Sequence, residues 1–228
     1  MLEQLTKRIN IVTGHYGSGK TNLSVNLAKD LNRSGKKVSL VDLDIVNPYF
    51  RAADLTKELE AEGIRVIAPI YANSNLDIPA LPPAIYSVFN DKTYTAVIDV
   101  GGDDAGAAAL GRFSDLITEE NDFDHFYVIN ARRILTQTPE ETVVILKEIE
   151  KSSRIPVTAL VNNTNLSKET DAGVVRASCE YARRVSELSG LKIKFTSVRK
   201  DIAAQLGDLP DCGGPVYPVD IDVQLPWD

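Results

Sequence analysis

The chain has 228 residues, with 25 Lys and Arg against 32 Asp and Glu for a formal net charge of −7, 43% apolar residues and two Cys. That length fits one α/β domain that buries its core without metal or disulfide support, and the acidity argues against a broad phosphate-tracking surface for nucleic acid. No run approaches the ~18 uninterrupted apolar residues of a membrane-spanning helix and the opening MLEQLTKRINIV lacks a signal-peptide pattern, so a cytoplasmic protein that neither enters a membrane nor binds nucleic acid is expected.

Short β-branched apolar runs alternate with longer amphipathic stretches, the pattern of repeated βα units around a parallel sheet. The periodicity predicts about seven strands. They fall at 8–13, 37–42, 64–69, 95–100, 125–130, 156–162 and 192–197. The first helix carries Leu23, Leu27 and Leu31 on one face, with Gly35 as its left-handed stop. A helix from Thr138 opens with a cap, a first-turn Pro139 and Glu141 three residues after the cap. Ser167 is the expected cap of the long segment that runs through Ser189 to Gly190. Residues 207–228, broken by Pro210, Pro215, Pro218 and Pro226, are expected to form an extended tail laid on the single domain, with Trp227 as its anchor. Cys179 and Cys212 stand far apart with no CxxC, and the expectation is two buried or free thiols.

Gly14-His15-Tyr16-Gly17-Ser18-Gly19-Lys20-Thr21 fits G-x-x-x-x-G-K-[ST] between a strand and an amphipathic helix. Glycines let backbone N–H groups turn inward around phosphates, and the following helix adds its positive end. Lys20 would reach the β- and γ-phosphates, the Thr21 hydroxyl would take a place on Mg²⁺, and Asn22 follows directly on the nucleotide-facing turn. Asp99, at the end of the fourth strand, is the candidate for holding Mg²⁺ through water, and Gly102 could bring its N–H to the γ-phosphate. Asp42 and Asp44 end the second strand on one side. Asp44 is assigned a water-orienting role in hydrolysis and Asp42 an outer Mg²⁺ contact.

A P-loop after the first strand, Leu-Val-Asp-Leu-Asp at the second and Val-Ile-Asp followed by glycines at the fourth resemble the MinD/ParA branch of P-loop ATPases, which also includes nitrogenase iron protein, arsenical-pump ATPases and cobyrinate-synthase-type ligases. The resemblance runs from Ile9 to about Gly214. It implies a P-loop NTPase fold, a three-layer α/β/α sandwich with a mainly parallel sheet, with the Asp99 strand beside the P-loop strand and ATP with Mg²⁺ at the strands' carboxyl ends. The stretch from Ala131 to Glu140 looks like the one that follows the fifth strand in these ATPases.

Adenine fits better than guanine, because no Asn-Lys-x-Asp occurs. The resemblance implies an adenine-reading Asn after the sixth strand, either Asn162 or Asn163, with Ser197 to Asp201 along the base's other edge. The family's signature Lys, used across an ATP-dependent homodimer, is replaced by His15, whose shorter and mostly neutral imidazole cannot duplicate a permanent ammonium. Residues 101–120 contain no Cys for an iron–sulfur cluster, and the tail lacks a basic amphipathic membrane helix.

Three functions follow as expectations. The first is an ATPase acting as a nucleotide-driven switch or assembly factor for a protein client. The second is an ATP-dependent small-molecule kinase or ligase of the cobyrinate or dethiobiotin type, with Asp44 or Asp103 and Asp104 on the substrate. The third is a module that holds nucleotide without hydrolysing it. Tyr49, Phe50 and Arg51, or the stretch from Asp77 to Phe89, could meet a partner or substrate.

Overall fold

The computed structural model describes residues 5–44, 55–68, 83–207, 209 and 212–223. Tyr49, Phe50, Arg51, residues 77–82 and Trp227 lie outside them. The elements in order are β1 (Ile9–Gly14), α1 (Lys20–Arg33), β2 (Lys37–Leu43), α2 (Thr56–Ala61), β3 (Arg65–Ile67), α3 (Ser87–Asn90), β4 (Tyr94–Val100), α4 (Asp104–Gly111), α5 (Ser114–Glu120), β5 (Phe123–Ile129), α6 (Pro139–Ser153), β6 (Ala159–Asn162), α7 (Ala172–Ser189), β7 (Ile193–Arg199), α8 (Lys200–Leu206) and β8 (Val216–Val219).

The sheet order is β3-β2-β4-β1-β5-β6-β7-β8, and every pairing is parallel. The Asp99 strand β4 lies beside the P-loop strand β1, as expected. The sheet has eight strands where about seven were expected. The extra one, β8, falls in the stretch read as an extended tail.

Period-two alternation explains the layers. Along β1, Val12 packs with Leu23, Leu27 and Leu31 of α1 on one face, while Ile9 and Ile11 pack with Leu110 of α4 and Ile117 of α5 on the other. Along β5, Phe126 and Val128 join the α1 face, and Tyr127 and Ile129 meet Leu146 of α6 and Ala182 of α7. Central strands buried on both faces are rich in apolar β-branched residues, and the polar ones they hold, such as Asn10, Thr13 and His125, are buried with hydrogen-bond partners.

Local signals set the helix ends. Thr138 and Glu141 form the expected reciprocal capping box, with Pro139 at the first turn. Gly35, at φ +89°, ends α1. The cap of α7 is Asp171, which accepts from the Val174 N–H at 2.8 Å, and Ser167 instead opens a short 3₁₀ turn. Cys179 of α7 and Cys212 are joined in a disulfide, contrary to the expectation of separate thiols. From Pro83 to Phe89 the chain serves the core: Ile85, Val88 and Phe89 are buried, and Phe89 stacks on Phe113.

Candidate functional site

The site lies where β1, β2 and β4 end together. β1 delivers the chain at Gly14, and α1 begins at Lys20. Gly19 takes φ +90°, and a Cβ there would run into the Asn163 amide. No side chain caps α1 and no acid stands in its first turn, so its initial N–H groups and positive end are left for an anion. The loop braces itself through the Ser18 N–H, which donates to the His15 carbonyl at 3.2 Å.

Lys20 is buried and its Nζ donates to the His15 carbonyl at 3.2 Å. Burial lowers its pKa, against the pull of Asp99, Asp44 and Asp103. A cation set among three carboxylates and held by one carbonyl is ready to exchange that carbonyl for phosphate oxygens.

Asp42 and Asp99 are side by side in register at the ends of β2 and β4. Asp99 accepts from Ser24 Oγ at 3.1 Å and also from the Thr21 hydroxyl. Burial raises its pKa to about 6, opposed by the Thr21 hydrogen bond and by Lys20. Asp42 Oδ1 accepts from the Asp44 N–H at 2.9 Å, which fixes the turn that presents Asp44. A Cβ on Gly101 would stand 3.2 Å from Asp44 Oδ1, so this carboxylate lies against the loop after β4.

That loop also reaches the P-loop. A Cβ on Gly102 would stand 2.7 Å from the Tyr16 nitrogen and 2.9 Å from Lys20 Nζ, an approach open only to glycine. Asp103 accepts the Tyr16 hydroxyl at 3.0 Å and caps α4 through the Gly106 N–H at 2.8 Å. Burial, then the bond to Asp103, holds the Tyr16 hydroxyl in its neutral form. His15 is part-buried, and burial followed by the Lys20 charge lowers its pKa. It is therefore a neutral imidazole at pH 7.

The two asparagines after β6 have different jobs. Asn162 is fully buried; its Nδ2 donates to Ser178 Oγ of α7, and its Oδ1 accepts from the Thr164 N–H and hydroxyl. Asn163 donates to the Ser18 carbonyl at 2.6 Å and accepts from Ser197 Oγ at 2.7 Å. The structure thus brings Asn163, not Asn162, to the P-loop. The Asn22 side chain is turned away from the phosphate cradle. Its Nδ2 donates to the Asp220 carbonyl and its Oδ1 accepts from the Asp222 N–H.

Sequence reasoning missed Arg133. A Cβ on Gly17 would lie 3.1 Å from Arg133 Nε, so the guanidinium stem packs on the P-loop glycine. That Nε is buried without a hydrogen-bond partner. Its only sequence signal was a place in the stretch after the fifth strand.

Among the described residues, no group of three or more His, Cys, Asp and Glu could hold a metal ion on its own. Thr21, Asp42 and Asp99 instead make a sparse oxygen set, one hydroxyl and two carboxylates, that suits a hard cation whose other ligands are phosphate oxygens and water.

Residues 9–176 match the model of the CobQ/CobB/MinD/ParA nucleotide binding domain. Comparison with curated protein sequences gave no match. Among solved structures, FtsY from Mycoplasma mycoides is 20% identical with a TM-score of 0.55, over 83% of this chain and 59% of that one. FtsY from Thermotoga maritima is 23% identical with a TM-score of 0.54, over 83% of this chain and 61% of that one. The signal recognition particle 54 kDa protein from Aeropyrum pernix K1, solved in complex with GDP, is 20% identical with a TM-score of 0.53, over 82% of this chain and 40% of that one. At these identities the likeness is one of fold, and this chain spans less than two thirds of each neighbour.

Proposed function

Because the chain belongs to the CobQ/CobB/MinD/ParA nucleotide-binding domain family, we propose that it is an Mg²⁺-dependent ATPase that works as a nucleotide-driven switch for a protein client. The carrying observation is the convergence of Lys20, Thr21, Asp42, Asp44 and Asp99 at the mouth of an uncapped, acid-free helix N-terminus. The absence of Asn-Lys-x-Asp favours adenine over guanine.

In this reading the N–H groups of residues 17–21 bind the β-phosphate, and Lys20 leaves the His15 carbonyl to bridge the β- and γ-phosphates. Arg133, packed on Gly17, adds a second cation in cis. Thr21 and Asp99 would hold Mg²⁺ with Asp42 close by, and the ion would supply positive charge for the transferring phosphoryl group. Asp44 orients water. Gly102, in contact with both Tyr16 and Lys20, passes the presence or loss of the γ-phosphate to α4.

The switch is favoured over a kinase or ligase because Asp103, one of the carboxylates expected on a second substrate beside Asp44 and Asp104, is engaged by Tyr16 and Gly106. Neutral His15 argues against a charged contact across an ATP-dependent homodimer. The acidic composition and the lack, among the described residues, of a helix long and apolar enough to cross a membrane point to a protein client rather than nucleic acid or membrane.

Phosphate release with ATP and Mg²⁺ tests this reading on wild type, Lys20→Ala and Asp44→Ala. Slow turnover that both substitutions abolish is expected. Full activity in Lys20→Ala would overturn the site assignment, and retained ATP with no hydrolysis in the wild type would make the protein a holding module.

A further inference from the structure

Lined by none of the P-loop residues, a cleft of about 720 Å³ borders one face of α7. Arg176, Cys179, Glu180, Arg183 and Ser186 recur on that face at helical spacing, and Lys192, Ile193 and Gly213 complete the lining. Three cations and one carboxylate therefore surround a wall that contains Cys179, one half of the Cys179–Cys212 bridge. Cys179 is 6% exposed and lines the cleft, whereas Cys212 is fully covered. A nucleophile entering the cleft therefore comes up against Cys179 rather than Cys212.

The bridge fastens one end of a strap that reaches the nucleotide site. Beyond Cys212 the chain forms β8 on the edge of the sheet, and Tyr217 donates its hydroxyl to Asp30 of α1 at 2.8 Å. It then runs back along α1 toward the P-loop. Asn26 donates to the Asp220 carbonyl at 3.0 Å and to Asp222 at 3.1 Å, and Lys29 pairs with Asp222 at 2.7 Å. Asn22, the residue after Thr21, holds Asp220, Asp222 and Val223.

We propose that this cleft is a thiol–disulfide exchange site for a small anionic thiol, and that opening the bridge loosens the strap on the P-loop helix. The thiolate of the incoming molecule attacks the Cys179 sulfur. The S–S bond breaks, and its electron pair leaves on Cys212 as a thiolate. A second thiol attacks the mixed disulfide, giving the small-molecule disulfide and a Cys179 thiolate, so two thiols are oxidised as one protein disulfide is reduced. Arg176, Arg183 and Lys192 attract the anionic thiol and stabilise the thiolates formed. Arg183 also pairs with Glu187 at 2.5 Å, which leaves Arg176 and Lys192 as the main steering charges.

The exchange step stands apart from nucleotide chemistry, and only its consequence for the P-loop helix rests on the ATPase reading. The test begins with the mass of the alkylated protein under non-reducing conditions, where an unalkylated bridge is expected and two alkylated thiols overturn the proposal. Reduction by 2-mercaptoethanesulfonate is then compared with reduction by neutral 2-mercaptoethanol, each rate taken per thiolate. At low salt the anionic thiol should react about tenfold faster, and the preference should vanish in the Arg176→Gln/Lys192→Gln variant and at high salt. Equal wild-type rates overturn the cleft as an anionic-thiol site. Amide exchange at residues 216–223 and over the first two turns of α1 should quicken severalfold on reduction, and equally in Cys179→Ser/Cys212→Ser. Unchanged protection overturns the strap. Lys20→Ala should leave the thiol rates untouched, which separates a failure here from a failure of the ATPase reading.

Discussion

Asn163 holds the P-loop from outside it: its amide donates to the Ser18 carbonyl at 2.6 Å while its own oxygen is held by Ser197 of β7. The loop's shape thus depends on a strand three positions away in the sheet.

Replacing Asn163 with Ala should therefore act on binding more than on fold. Losing a hydrogen bond of this kind costs about 1 kcal/mol. Chemical denaturation should register that loss, and calorimetric titration with ATP and Mg²⁺ should show about fivefold weaker binding. Asn162→Ala should do the reverse, because its buried partners Ser178 and Thr164 are left without it. It should destabilise the fold by about 1–3 kcal/mol, with little change in affinity once folded.

Gly102→Ala should uncouple the loop after β4 from the P-loop. The new methyl meets the Tyr16 backbone at 2.7–2.9 Å, and backbone cannot step aside as a side chain can. Overpacking of about 1–3 kcal/mol is expected, together with loss of the melting-temperature rise that ATP and Mg²⁺ give the wild type. Gly63→Ala is the control. It has φ +88° but open space around it, so it should cost about 1–2 kcal/mol in strain and keep the nucleotide response.

Arg133 offers a contrast between charge and fork. Its Nε has no partner to lose, so Arg133→Ala should leave the melting temperature of the nucleotide-free protein nearly unchanged. Affinity for ATP should fall about tenfold, as expected for loss of one charge-assisted hydrogen bond, and Arg133→Lys should restore only part of it. Titration with a fluorescent ATP analogue measures both.

His125 should make the fold sensitive to acid. It is fully buried in β5 and contacts Thr13 Oγ1 at 2.8 Å, and burial lowers its pKa to about 4 from 6.5. Between those values the unfolded chain binds the proton and the folded chain does not, so stability is full above pH 6.5 and is lost as pH falls toward 4, by about 3 kcal/mol at most. Asp99 pulls the other way: its raised pKa lets the folded state hold a proton between about 6 and 3.8. The readout is thus the difference between wild type and His125→Asn in denaturation at pH 7 and pH 4.5. The variant should be less stable at pH 7 and lose less on acidification.

The gathering of the Gly14–Thr21 loop with Asp42 and Asp99 was legible because the proposed phosphate chemistry demands fixed residue types at fixed spacing. The parallel sheet was legible because strands buried on both faces are dominated by short β-branched apolar runs separated by amphipathic stretches. Other features depend on contacts between distant segments. β8 was obscured by Pro218, which reads as a strand breaker yet is tolerated on an edge strand that pairs on one side only. The pairing of Cys179 with Cys212 depends on where α7 and the segment before β8 meet in space, which no spacing rule supplies. Asn162 and Asn163 are chemically identical neighbours. Which one faces the P-loop follows from the exact end of β6, the least legible kind of boundary. Arg133 carried no motif, and only the fold seats it on Gly17.

The bonds between Asn22 and residues 220–223 join segments separated by nearly the whole chain. During synthesis, the helix that begins at Lys20 emerges long before these partners exist. A chain released short of Asp220 therefore carries the Gly14–Thr21 motif, yet leaves Asn22 without its partners at 220–223, Asn26 with only the Asn22 carbonyl and Lys29 with only Glu58 and Glu62. The helix that carries Lys20 is thus held by groups from opposite ends of the described sequence, and its contacts along that side are complete only once residue 223 is in place.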